Sequence, residues 1–400
     1  IFSGDQSALR SILEVQEGRL SQISGKTLTT TGVEGIGRSG NVSVTALRDI
    51  SLSTISVGNG DVEMTSSLGG ILDGTLTDVL GSENLIINNG ELVAISATGI
   101  GTHYEDGDID MDVIDIDNAN ATEDGLFIGL TGREGVLATI KTVEASADGA
   151  DVAVTSGNGM LKVLNAKAND ALQFQIVGQA DVEALLLGTT HAGGDLNLIA
   201  TAGDIVQLSG ADIIADTANA LTTLSAGGDI TLLAVTNNFA DITVKTGTNV
   251  HVVDVSGVNL FDIYSTGNFK LETVDQLALM ANTSITSGAD TSLSLTSENL
   301  IFGANHITTA GGSVNISVNL GDWLAINSSS ILAGKDINAY VAGSIDLAET
   351  TLVEAGASVA LVVDNSISLV GTTIFSAVSG DLTLTSEVAG DATIAGSTEL

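Results

Sequence analysis

The chain has 400 residues, with 49 acidic against 12 basic side chains and a formal net charge of −37. A surface of that sign repels nucleic acid and anionic membranes, so neither is expected as a partner. Cysteine and proline are both absent and aromatic residues make up only 3%, which excludes a disulfide scaffold and thiolate zinc and leaves the core volume to Val, Ile, Leu and Ala. No apolar run reaches the ~18 residues that a membrane-spanning helix needs, so no membrane insertion is expected.

The opening segment, 1–19, contains SALRSILEVQEG (7–18). Its apolar residues Leu9, Ile12 and Leu13 fall at helical spacing, and the segment reads as an opening coil or a short helix. The chain begins at IFSGDQ, in the middle of a phrase used again later, and is expected to be a piece of a longer protein.

From residue 20 to residue 400 one phrase recurs. It stands as GNVSVT from 40, GDVEMT from 60, ADVAVT from 150, GDLNLI from 194, ADITVK from 240 and GNFKLE from 267. It returns as DTSLSLT from 290, GSVNIS from 312, KDINAY from 335, ASVALV from 357 and GDLTLT from 380. A second apolar phrase follows eight to ten residues after the first, as GSIDL (343–347) follows KDINAY, and a third closes the unit, as in TTLVEA (350–355). The first strands are anchored at Leu20, Val42, Val62, Leu85, Ile109, Phe127, Val152, Leu172, Leu196, Leu221 and Ile242, then at Phe269, Leu293, Val314, Ile337, Val359 and Leu382.

These anchors predict an all-β chain: a right-handed parallel β-helix (β-solenoid) of about 17 coils, each of roughly 22–23 residues and three short strands. A strand of four or five residues cannot bury an apolar side alone. Stacking coils ~4.8 Å apart pairs each strand above and below and turns the inward residues into a continuous apolar column. Gly, Asn and Asp supply the corners. The gaps between phrases hold no helical pattern long enough to cover an open sheet, so 20–400 is expected to form a single continuous solenoid.

The densest charge lies in YEDGDIDMDVIDIDN (104–118). Clustered carboxylate oxygens suit Ca²⁺, and Asp106, Asp108, Asp110, Asp112, Asp115 and Asp117 are the candidate ligands. The alternative is a solvated acidic side of one coil, because side chains two apart on a strand stand about 7 Å apart, too far to share a bare ion without help from another coil. Alternation puts Asp108, Asp110 and Asp112 opposite Ile109, Met111 and Val113, and a step at Val113–Ile114 resets the phase. No cofactor is required by any motif.

Catalysis is not expected. No Arg follows Arg133, Trp323 stands alone, and Tyr104, Tyr264 and Tyr340 are far apart in coil number, so neither a polyuronate site nor an aromatic sugar platform is assembled. His103, His191, His251 and His306 lie several coils apart, which argues against a His-rich metal site. Carboxylate pairs for glycoside hydrolysis will occur by chance among so many acids and carry no signal.

The phrases AGGDLNLIATAGDIVQLSGADIIA (192–215) and SAGGDITLLAV (225–235) resemble the haemagglutinin-type repeats of filamentous-haemagglutinin-like bacterial adhesins, large surface exoproteins. The resemblance implies an extracellular, cell-surface location and a structural stalk segment that gives reach. Its implied partners are adjoining segments of a longer chain, other copies of itself, and a host or neighbouring-cell surface. Two alternatives stay open: a filament or surface-layer subunit that polymerises through the solenoid ends, and a polysaccharide-degrading β-helix enzyme.

Charge yields a direct expectation. Two carboxylates stacked on adjacent coils at ~4.8 Å repel by about 0.9 kcal/mol in water before screening. The melting temperature should therefore rise from low salt with chelator to high salt, and to millimolar Ca²⁺. The same temperature under all three conditions would remove the idea.

Overall fold

In Phe269–Thr273 the sequence FKLET alternates apolar with polar, and the strand buries Phe269, Leu271 and Thr273 while Lys270 and Glu272 lie half-exposed. The same alternation in VNISV buries Val314, Ile316 and Val318, and in VALVV it buries Val359, Leu361 and Val363. A two-residue period on a pleated strand sends alternate side chains to opposite faces, so each short strand has one apolar side to cover. The next coil covers its edge, and the opposite wall covers its face.

The computed structural model describes residues 13–14, 27–30, 41–52, 54–73, 84–101, 109–131, 135–157, 159–180, 182–288, 293–304, 306–325, 328–386, 392–395 and 398–399. Among them there is no helix, and the strands stack in parallel as a β-solenoid of about 13 turns. The chain divides into two compact units, 1–211 and 212–400.

In the second unit the three strands of a coil build three columns. The first runs in register through Ile230, Val250, Phe269, Leu293, Val314, Ile337, Val359 and Leu382. Its later anchors are those read from the sequence. A second column runs Leu277, Leu300, Trp323, Ile345 and Ile367. A third runs Ile285, Thr308, Ile331, Val353 and Phe375. Phe239, Phe269, Phe302, Phe375 and Trp323 are the bulkiest side chains fully inside this unit. Each large apolar side chain buried in this way contributes roughly 1.5–3 kcal/mol relative to exposure.

The first unit repeats the arrangement. One column runs Val42, Val62, Leu92, Ile116, Ile140, Val163 and Leu187, and another runs Leu126, Val152, Leu172 and Leu196.

The coil count is lower than the 17 expected, and several anchors sit in other columns. Leu85 pairs with Ile55 and Met111 rather than following Val62, and Ile109 pairs with Ile128. Phe127 stands one residue out of phase, since Leu126 is the partner of Val152. Ile242 pairs with Leu260, while the partner of Phe269 is Val250. The cause is local. Where two sides of a coil run together in one long strand, as in Ile109–Ala121 and Leu85–Ser96, no Gly-Asp phrase marks the corner, and the repeat is read one side too early or too late. Leu20 lies outside the described residues. Within 7–18, Leu13 and Glu14 are extended and pair with Val44 and Thr45, the geometry of a coil and not of a helix at those two positions.

Tight corners depend on glycine. A Cβ on Gly334 would stand 2.1 Å from the carbonyl oxygen of Gly311, and one on Gly356 would stand 2.2 Å from that of Gly334. Both obstacles are backbone atoms that the ladder holds in place. Gly334→Ala should therefore cost roughly 1–3 kcal/mol by overpacking, read as a lowered melting temperature. Wild-type melting of this variant would show that the corner has room.

Candidate functional site

The acidic segment comes first. Asp106 and Asp108 lie outside the described residues. Asp110, Asp112 and Asp115 sit on the strand Ile109–Ala121; the backbone of Asp115 is in register with Glu91 of one neighbouring coil and Thr139 of the other. Pairing with the neighbouring strand is irregular at this point, for the partner strand advances from Ile87 to Glu91 while this one advances from Val113 to Asp115. Asp117 is described in full, and its Oδ1 takes the Lys141 ammonium at 2.9 Å, while Glu91 Oε1 takes the same ammonium at 2.7 Å. These two carboxylates hold the lysine pKa above its ordinary value. The described member of the candidate Ca²⁺ set thus already has a cation, one supplied by the chain. Among the described residues, no three His, Cys, Asp or Glu side chains are grouped as a metal ion would require.

Most other acids with a resolved role sit at corners. There, the side-chain oxygen of one coil accepts the backbone N–H of the equivalent residue on the next. In one row, Asn299 Oδ1 accepts Asp322 N–H at 3.2 Å, Asp322 Oδ1 accepts Ser344 N–H at 2.6 Å, and Ser344 Oγ accepts Ser366 Oγ–H at 3.0 Å. In another, Ser313 Oγ accepts Asp336 N–H, Asp336 Oδ1 accepts Ser358 N–H at 3.0 Å, and Ser358 Oγ accepts Asp381 N–H. A third runs from Asp229 through Asn249 to Asn268. The first unit does the same with Asn41, Asp61 and Glu91. The Asp of the recurring Gly-Asp phrase is therefore an acceptor for the coil above, and the donor it needs is a corner N–H that proline would remove.

Two further cations pair from coil to coil, Lys167 with Glu144 at 3.1 Å and His251 with Glu272 at 2.8 Å, and Glu272 also takes Lys270 of its own strand at 2.6 Å. The two bonds to Glu272, Lys270 first, lower its pKa. A groove of about 510 Å³ passes over Asn299, Asp322, Ser344 and Ser366, but these are the ladder residues just described, and their polar atoms already face one another.

Sequence reasoning missed two buried ionisable groups, both in the second unit. Asp254 is fully buried; its Oδ2 accepts Phe239 N–H at 2.8 Å and its Oδ1 accepts Ser256 N–H at 2.8 Å. Burial nevertheless dominates and pushes its pKa up to about 6. His306 is equally buried, edge-on to Phe302 at 5.4 Å, and burial pushes its pKa down to about 4. Thr283 spends its hydroxyl proton on the Met280 carbonyl. His306 Nδ1 therefore donates to Thr283 Oγ1 at 3.1 Å, and Nε2 accepts from Thr308 Oγ1 at 2.8 Å. The signal was available in each case: Asp254 continues the inward phase of Val250 and Val252 on its strand, and His306 stands just before the strand Ile307–Ala310, two residues before the buried Thr308.

These features define a parallel β-solenoid repeat protein whose corner ladders run from coil to coil. No protein family, no curated protein and no solved structure matches the chain.

The two buried groups act in opposite directions with pH. Asp254 has a raised folded pKa, so its cost is present above about 6 and is relieved as pH falls toward the ordinary carboxylate range. His306 has a depressed folded pKa, so its contribution is complete above about 6.5 and is lost as pH falls toward 4. Asp254→Asn removes the titrating group but turns an NH2 toward one of the two backbone N–H groups that the carboxylate accepts, so it should melt below the parent at pH 7.5. With the relief from Asp254 protonation gone, the loss of stability between pH 6.5 and 4 should be steeper than in the parent. A variant whose stability falls no more steeply than the parent's over that range would contradict the assignment.

Proposed function

We propose that the chain is a structural stalk or repeat segment of an extracellular bacterial surface protein of the adhesin type, and that it performs no catalysis. The single observation that carries this reading is where the polar side chains spend their bonds. Asp61, Asp229, Asp322 and Asp336 hold the next coil's backbone, and Glu91, Asp117, Glu144 and Glu272 hold lysines of the solenoid wall. Such a chain invests its chemistry in stacking, and stacking produces length: each added coil extends a unit by ~4.8 Å. The haemagglutinin-type phrases support the same reading and give it its location, outside the cell and attached through adjoining segments of a longer chain. The strong negative charge keeps such a segment apart from anionic cell surfaces and from its own copies, which suits a spacer more than an adhesive tip.

Antibodies raised against the chain should label intact cells of the source organism, and external protease should remove the label. The purified chain should release no sugar from a panel of neutral and acidic polysaccharides. Labelling only after permeabilisation, or turnover of any glycan, would overturn the reading.

A further inference from the structure

Among the described residues of the second unit, five buried hydroxyls have no hydrogen-bond partner in the protein, and three of them, Ser329 Oγ, Thr351 Oγ1 and Thr373 Oγ1, lie on residues no more than 2% exposed and belong together. They are also neighbours. Ser329 is in register with Thr351, and Thr351 with Thr373, on successive coils. The other orphaned hydroxyls, those of Ser156, Thr222 and Ser287, occur singly.

The column has a defined start. Ser330 N–H donates to the His306 carbonyl at 2.9 Å, so His306 holds the same position one coil before Ser329. There the polar groups close on each other, with Thr283 and Thr308 satisfying both ring nitrogens. From Ser329 onward they do not close. On the outer corner, by contrast, Ser344 and Ser366 bond directly at 3.0 Å.

Geometry says what fits between the inner ones. Equivalent atoms on adjacent coils stand ~4.8 Å apart when their side chains take the same rotamer, and these inner hydroxyls make no direct bond to one another. Two O–H···O bonds of ~2.8 Å that meet at about 120° span that distance. A single water between each pair of hydroxyls supplies this angle. Each hydroxyl offers one donor and two acceptors, enough to engage a water on either side. Left dry, the three groups would lose their hydration with nothing in return. We infer that the interior of the second unit binds a file of ordered water along Ser329, Thr351 and Thr373, with one molecule in each of the two gaps. The file is part of the fold, filling at the inner corner the place that the hydroxyl contact between Ser344 and Ser366 fills at the outer one.

The 400-residue chain and its Thr351→Val variant distinguish a wet column from a dry one, because the two predict opposite signs. Long-lived internal waters are counted by oxygen-17 magnetic relaxation dispersion, and stability by thermal melting. With the file present, Thr351→Val loses both bridging waters and melts lower, while Thr351→Ser keeps both waters. Should Thr351→Val fail to fold, Ser329→Ala serves instead and should lose one water. A Thr351→Val variant that melts at or above the parent overturns the inference. So does one that melts lower with its water count unchanged, and so does a parent chain with no long-lived internal water.

Discussion

Everything in this molecule depends on one constraint: the partner of each backbone group in a short strand lies one coil away, so coils form only in the company of other coils. Strands such as Trp323–Ala325 and Ile213–Ala215 have three residues each. No strand of that length holds itself, and the cost of ordering it is recovered only when the ladders on both edges and the apolar face are filled together. Corners are the weak point, because there the ladder breaks and N–H groups turn away from their neighbours. Asn, Asp and Ser acceptors close that gap, as Asp322 Oδ1 does by accepting Ser344 N–H at 2.6 Å.

The acidity follows in part from the same constraint. Aspartate at a corner is a good acceptor for the next coil's amide, and a row of such corners places carboxylate-bearing residues near one another. Lys141 between Glu91 and Asp117, and Lys270 against Glu272, relieve that repulsion at particular points. With 12 basic residues against 49 acidic ones, most of the charge must instead be met by solvent and its ions. A surface built this way tolerates salt well and discourages close approach by other anionic surfaces.

Much of the architecture was legible in the sequence, and the reasons are specific. The column from Phe269 to Leu382 was readable because each of its strands is preceded by a short polar corner and alternates cleanly, so phase and period agreed. The phase failed at Leu85 and Ile109, where one strand continues through a corner and the corner residues lie inside the strand, and at Ile242, which pairs into a different column. Of the acidic candidates, only the outward placement of Asp117 can be set against the structure. The ion pair with Lys141 was not legible, because the two residues are 24 positions apart and meet only through the register of stacked coils. Asp254 and His306 were passed over for a different reason. A lone polar residue at an inward phase looks like noise in a pattern search, yet it is the position at which burial perturbs a proton equilibrium most.

The corner ladder can be tested at a single residue. Asp322→Ala removes one acceptor and leaves the apolar columns untouched, whereas Asp322→Asn preserves the acceptor. Hydrogen–deuterium exchange resolved to the Ser344 amide is the most direct measurement. The account predicts faster exchange at Ser344 in Asp322→Ala, spreading to the Ser366 corner, with near-parental protection in Asp322→Asn. Unchanged protection at Ser344 in Asp322→Ala would contradict the claim that corner side chains hold one coil to the next.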